Sequence, residues 1–153
     1  MFKIQDRFID TTNETDKKIF GNYYEKKLFN YLKKHSKYQY EMISGINEYS
    51  LYDFKSISNN QTRIIELRSR LNEISNFKYE LFNVKKFKRL MKLYEDDDII
   101  EVLIYFCHIN KNNYRDFKFY AVDIKHIDET KLKINIYDDK ELYLIPINYL
   151  KEV

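Results

Sequence analysis

The chain has very little of what loosens or breaks a polypeptide: two Gly and one Pro in 153 residues. Flexible Gly-rich linkers, Pro-rich spacers and collagen-like repeats are therefore excluded. No internal repeat or low-complexity tail is visible. A single cysteine, Cys107, rules out an internal disulfide and fits a reducing, intracellular compartment. It sits in an apolar run and reads as packing rather than chemistry. The three histidines, His35, His108 and His126, have no metal-ligand spacing, so a structural zinc site is not expected. A Gly-rich phosphate loop is missing, which argues against a nucleotide-hydrolysing motor. No Ser/His/Asp or Cys/His nucleophile arrangement stands out in chain order. No apolar run approaches the length of a membrane span, and the N-terminus lacks a signal-peptide core. The expectation is a protein without a membrane partner that is not secreted.

What is present points to a folded protein. Hydrophobic residues make up 44% and charged residues 33%, enough for one domain over residues 1–153 with its own core. Lys, Asn, Ile and Tyr are abundant, as in an AT-rich genome such as that of a virus, a phage or an AT-rich microbe. The formal charge of +3 is compatible with a nucleic-acid partner without requiring one. Its distribution is more telling: Lys85, Lys86, Lys88, Arg89 and Lys92 crowd one segment, and Glu95-Asp96-Asp97-Asp98 follow it. The 15 Tyr and 11 Phe suit a small core, and exposed ones suit base stacking.

Helical and strand-like segments alternate along the chain. Phe2 to Phe8 is ambiguous. Asn13 or Thr15 caps a helix expected from about Asp16 to Lys34, whose stripe is Ile19, Phe20, Tyr23, Tyr24, Leu28, Tyr31 and Leu32. Tyr38 to Ser44 reads as a strand ending at Gly45. Tyr49 to Ile57 and Thr62 to Ser69 read as the arms of a hairpin, and Arg70 to Asn76 as an outward turn. A second helix spans about Asn83 to Tyr94, with Asn83 as N-cap. Ile99 to Ile109 and Phe117 to Ile124 read as strands. Lys131 to Tyr137 and Leu142 to Ile147 form a hairpin about Asp138-Asp139-Lys140. The expected class is α/β, built around a mixed sheet.

The first hairpin carries the chemistry. If Asn59-Asn60 is its two-residue turn, facing residues sum to 119, and Asp53 faces Glu66. Asn tolerates the positive φ required at both turn positions. The two carboxylates would then lie on one face with Cβ atoms about 5 Å apart. Such like charges repel unless something positive lies between them, and Mg²⁺, which favours carboxylate oxygens, is the natural candidate. Tyr52, Phe54, Ile65 and Leu67 would project from the opposite face into the core.

Asp53, Glu66-Leu67-Arg68 and an upstream helical Glu25 together resemble the PD-(D/E)XK, or restriction-endonuclease-like, nucleases. In that superfamily an Asp on one strand is followed by Asp/Glu-x-Lys on the next, after a helix bearing a further Glu. The resemblance implies a restriction-endonuclease-like mixed β-sheet flanked by helices and Mg²⁺-dependent (or Mn²⁺-dependent) hydrolysis of DNA phosphodiesters. It implies metal ligation by Asp53, Glu66 and the Leu67 carbonyl, with Glu25 holding a bound water or a second ion. Arg68 stands where Lys is usual; always protonated, it can hold a phosphate but cannot act as a base. Lys55, two residues from Asp53, is a candidate replacement ammonium. The superfamily often points a Lys or Gln into the site from the helix after the second motif, here Lys85 or Lys86. Lys85, Lys86, Lys88 and Arg89 would contact nucleic-acid phosphates, which position a substrate without reading its sequence. Stand-alone members include junction resolvases and repair or homing-type endonucleases, often homodimeric, although no segment specifies an interface. DNA is the expected partner, with RNA and branched or single-stranded forms open. Two other readings stay open. One is a catalytically degenerate nucleic-acid-binding protein of the same fold. The other is a structural or interaction protein whose hairpin bears solvated cross-strand ion pairs among Asp53, Lys55, Glu66 and Arg68.

Overall fold

The computed structural model describes residues 2–44, 50–71 and 78–153. Gly45, Tyr49 and most of the turn expected after Arg70 lie outside these residues. Two short strands open the chain, β1 (Lys3–Ile4) and β2 (Arg7–Phe8), paired about Gln5 and Asp6, both at positive φ. Helix α1 (Glu14–His35) follows, a little longer than its apolar stripe suggested. Asn13 is its N-cap, accepting from the backbone N–H of Thr15 and Asp16 and so satisfying two donors the helix itself leaves open.

The main sheet combines β3 (Glu41–Met42), β4 (Phe54–Ser58), β5 (Gln61–Arg70), β7 (Ile99–Asn110), β8 (Asn113–Asp123) and β11 (Lys151–Glu152). Its order is β11-β8-β7-β5-β4-β3, with β5 and β7 parallel and every other neighbour antiparallel. The strand expected over Tyr38–Ser44 is reduced to the two residues of β3. Six of the ten residues of β5 are buried in succession. A strand paired on both edges and covered on both faces has no solvent side, so alternation disappears.

One layer on each face explains this. Beneath α1 lies a core of Tyr24, Leu28, Leu32, Phe54, Ile65, Leu67, Tyr105, Cys107 and Ile109. Rings interlock edge to face, as Tyr24 does with both Phe20 and Phe117, and the Tyr24 hydroxyl donates to the Tyr114 carbonyl at 3.0 Å. The opposite face packs Ile64, Val102, Ile104, Phe106 and Val122 against helix α2 (Val84–Lys92) and a second sheet. Tyr52, expected on one face with Phe54, Ile65 and Leu67, packs against this second core while those three pack beneath α1.

The second sheet corrects the sequence reading. Strand β6 (Tyr79–Asn83) was not anticipated, and the C-terminal hairpin of β9 (Lys133–Tyr137) and β10 (Lys140–Pro146) does not join the main sheet. The three form a separate sheet in the order β6-β10-β9. The hairpin turn is Asp138-Asp139, both at positive φ. Strand β6 leads directly into α2, whose N-cap Asn83 accepts from the backbone N–H of Lys86 at 3.0 Å. Lys86 is thereby fixed in the first turn of α2.

Candidate functional site

The β4–β5 hairpin has the register that the Asn-Asn turn requires. Asn59 and Asn60 both adopt positive φ, and Phe54 faces Ile65 with all following pairs summing to the same value. The Asp53 N–H donates to the Ile65 carbonyl at 3.0 Å, one residue off that register, so the regular pairing ends at Phe54 and Ile65. Asp53 and Glu66 still come close enough for the charge of one to act on the other, and both are buried. A hairpin bearing solvated charges on an outer face does not describe them.

Each carboxylate has a different set of partners. Asp53 Oδ2 accepts from the Leu67 N–H at 2.8 Å. Glu66 Oε2 lies 2.7 Å from Lys86 Nζ. That contact is a close ion pair, yet it lacks hydrogen-bond alignment, and Oε2 is a buried oxygen without an aligned donor. Glu25, half-buried on α1, accepts from the Ser44 hydroxyl at 3.0 Å. Burial pushes the Glu25 carboxyl up to about 7, and the charge of Asp53 pushes in the same direction. Glu66 is held well above the usual carboxylate range, by burial first and by Asp53 second, with Lys86 opposing. Three acidic groups on three elements therefore repel one another, and one ammonium offsets them.

These residues line a cleft of about 1060 Å³. Glu25, Asp53, Glu66, Leu67 and Lys86 are joined there by Lys17, Lys18, Arg68 and Arg70. Arg68, Lys17 and Lys18 are exposed, so an acidic floor carries a basic rim. Arg70 is braced from behind by the fully buried Glu80 of β6, whose Oε2 accepts from its guanidinium at 2.9 Å. The other oxygen of Glu80 meets His108 Nε2.

The remaining expected residues divide. Lys86, and not Lys85, enters the cleft. Lys55 shares the sheet face of Asp53 but lies across from Glu41 and Ile64, outside the cleft lining. No Lys55–Glu66 pair forms, because Lys86 takes that carboxylate. Lys88 is turned away to Glu129, in the short helical turn before β9, with which it pairs at 3.0 Å. Lys85 and Arg89 are exposed on α2. Sequence reasoning missed Lys17, Lys18 and Arg70. The two lysines carried a usable signal, since Lys17, Lys18, Gly21, Asn22 and Glu25 recur at the spacing of one helix face. Arg70 gave none, because its brace, Glu80, belongs to a strand that was not foreseen.

The donor set suits a hard divalent cation. It offers carboxylate oxygens, a backbone carbonyl at Leu67 and a buried Glu66 oxygen lacking an aligned donor. Among the described residues, no three Asp, Glu, His or Cys side chains already form a ready-made ion cage. Mg²⁺ does not require one, since it usually keeps several waters and one or two carboxylates.

No family model matches the sequence, and no curated protein matches it either. Among solved structures, Hjc from Archaeoglobus fulgidus, a Holliday junction resolvase from an archaeal hyperthermophile, superposes with a TM-score of 0.52. The match covers 83% of this chain and 87% of that one, at 12% identity. The chain shares the fold of that resolvase. The architecture expected from the Asp53 and Glu66 motifs is borne out: a mixed sheet flanked by two helices. Among the described residues, no helix is long and apolar enough to cross a membrane.

Proposed function

We propose that this chain is a divalent-metal-dependent endonuclease that hydrolyses DNA phosphodiesters, with structured or branched DNA as its substrate class. The observation that carries the reading is the buried proximity of Asp53 and Glu66, with Lys86 in the same cleft. The shared fold with a Holliday junction resolvase supports the branched-DNA part.

Asp53, Glu66 and the Leu67 carbonyl would hold Mg²⁺ or Mn²⁺, with Glu25 holding a water beside them. A cation bound there lowers the pKa of water and neutralises charge on the phosphate. The Leu67 N–H keeps the Asp53 carboxylate oriented through its 2.8 Å bond. Lys86 supplies a compact ammonium beside Glu66, a point charge that the planar guanidinium of Arg68 does not provide. Arg68 and Arg70 hold the phosphate by charge-assisted hydrogen bonds. Lys17 and Lys18, across the cleft on α1, contact flanking phosphates, as do Lys85 and Arg89 on α2.

The test is cleavage of linear, nicked, single-stranded and four-way-junction DNA with Mg²⁺ or Mn²⁺, beside Asp53→Ala and Glu66→Ala proteins. Cutting by the parent alone is expected. Equal cutting by all three refutes the site. Salt-sensitive binding without cutting points instead to a catalytically degenerate DNA-binding protein, the reading that Arg68 in place of Lys favours.

A further inference from the structure

Nothing inside the fold requires a glycine at position 21. Gly21 stands well within α1, where glycine is the poorest helix former after proline. Among the described residues no glycine has the positive φ that would demand one. Close packing does not demand one either, because a Cβ at Gly21 would meet no described side chain or neighbouring element within 4 Å. What the position faces is the cleft, whose lining includes Gly21 and its neighbour Asn22. Lys17 and Lys18 lie one turn before it on the same wall, and Glu25 one turn after. The remaining use of a glycine is to let a ligand come close to the backbone.

The surroundings say which ligand. Lys17 and Lys18 on α1, with Arg68 and Arg70 on β5, give the cleft a basic rim carried by two separate elements. A ligand that engages both walls is a polyanion and not a single small ion. Asn22, exposed beside Gly21, has an amide that can donate to a phosphate oxygen. We infer that the sugar-phosphate backbone of a DNA strand seats in van der Waals contact with α1 at Gly21, between Lys18 and Asn22. The helix then holds the strand by its backbone, and this contact is blind to sequence. Gly21 sets how near the strand lies and takes no part in the chemistry. The inference rests on the nucleic-acid reading of the cleft and adds a residue to it.

The experiment measures binding of two fluorescent four-way junctions of different sequence, in chelator so that no strand is cut. Parent, Gly21→Ala, Gly21→Leu and Asn30→Ala proteins run together, each with thermal melts in chelator and in Mg²⁺. Gly21→Ala melts about 2–4 °C above the parent in chelator, because the helix gains and no atom stands in the way. It nonetheless binds both junctions at least about fivefold more weakly, since the methyl group overpacks the contact. Gly21→Leu binds more weakly still. Asn30, exposed on α1 outside the cleft lining, is the control for a stiffer helix, and Asn30→Ala binds as the parent does. The gain in melting temperature from Mg²⁺ is the same in Gly21→Ala as in the parent. Binding of Gly21→Ala as tight as the parent's overturns the inference and leaves the nuclease reading standing. A Gly21→Ala melt below the parent overturns it, because the fold then needs the glycine. Loss of the Mg²⁺ gain in Gly21→Ala also overturns it, by giving the space to the waters of an ion. A parent without salt-sensitive binding to either junction overturns the inference and the nucleic-acid reading together.

Discussion

Glu25→Gln is expected to make the ion-free protein more stable while making it a poorer nuclease. Glu25 titrates at about 7 against an ordinary value of 4.5, because burial and Asp53 both disfavour its charged form. A carboxyl whose folded pKa is raised is neutral in the folded state when the unfolded chain has already ionised. Between pH 4.5 and about 7 the folded state therefore binds more protons, and stability falls as pH rises through that window. The full shift corresponds to about 3 kcal/mol. Glu25 is only half-buried, and solvent screening reduces this to about 1–2 kcal/mol. Glutamine keeps an acceptor for the Ser44 hydroxyl and removes the charge. At pH 8 in chelator the variant should melt about 2–8 °C above the parent, given 2–4 °C per kcal/mol for a chain of this size. Near pH 4.5 the two should melt together.

The metal dependence of the same melts provides the second half of the assay. Mg²⁺ that binds only the folded state raises its stability, and ligation requires ionised carboxylates. The parent should gain more from Mg²⁺ at pH 8 than at pH 5.5, and Glu25→Gln should gain less than the parent at pH 8. The reasoning is refuted if Glu25→Gln melts at or below the parent at pH 8 in chelator. In that case the carboxyl is already compensated within the fold.

The other expectations are more local. Lys86→Met removes the partner of Glu66 and should cost about 1–2 kcal/mol in chelator, a loss that Mg²⁺ partly restores and that denaturant melts measure. Lys86→Met should also abolish cleavage, whereas Lys55→Ala should leave it unchanged, because Lys55 lies outside the cleft. Lys85→Ala and Arg89→Ala should each reduce the salt slope of DNA binding by about one, and Lys88→Ala should not, since it is tied to Glu129. Asn60→Val, at a φ of 61°, should cost about 1–2 kcal/mol in a thermal melt and loosen the register that brings Asp53 to Glu66.

The β4–β5 hairpin was more legible than the second sheet. Asp53 and Glu66 could be placed together from sequence because a two-residue turn leaves one register, and Asn-Asn supplies the positive φ it needs. Helices α1 and α2 were legible because their buried residues recur at helical spacing between good caps. Strand β6 was not. Its buried position 80 is a glutamate, so the alternation that marks a strand reads as polar. Its partner β10 lies some sixty residues away in the chain, and no local signal links the two. The choice between Lys85 and Lys86 was likewise beyond sequence, because both lie between Val84 and Phe87 of the apolar stripe of α2. The Asn83 cap and the entry angle from β6 select Lys86.

A purely structural account can explain parts of the cleft but not the whole. Asp53 alone could be an acceptor that closes the hairpin, since it takes the Leu67 N–H. Glu66 alone could be the partner of Lys86. Neither explains why a third carboxyl, Glu25, approaches from α1 and is driven to about 7. A fold selected only for stability would place an amide or an apolar residue there, because a second buried acid costs more than it returns. The acid, the misaligned oxygen of Glu66 and the basic rim are together accounted for by the proposed site, in which a doubly charged ion would sit on the floor with a phosphate above it. This is also why removing the acid should separate stability from activity, raising one as it lowers the other.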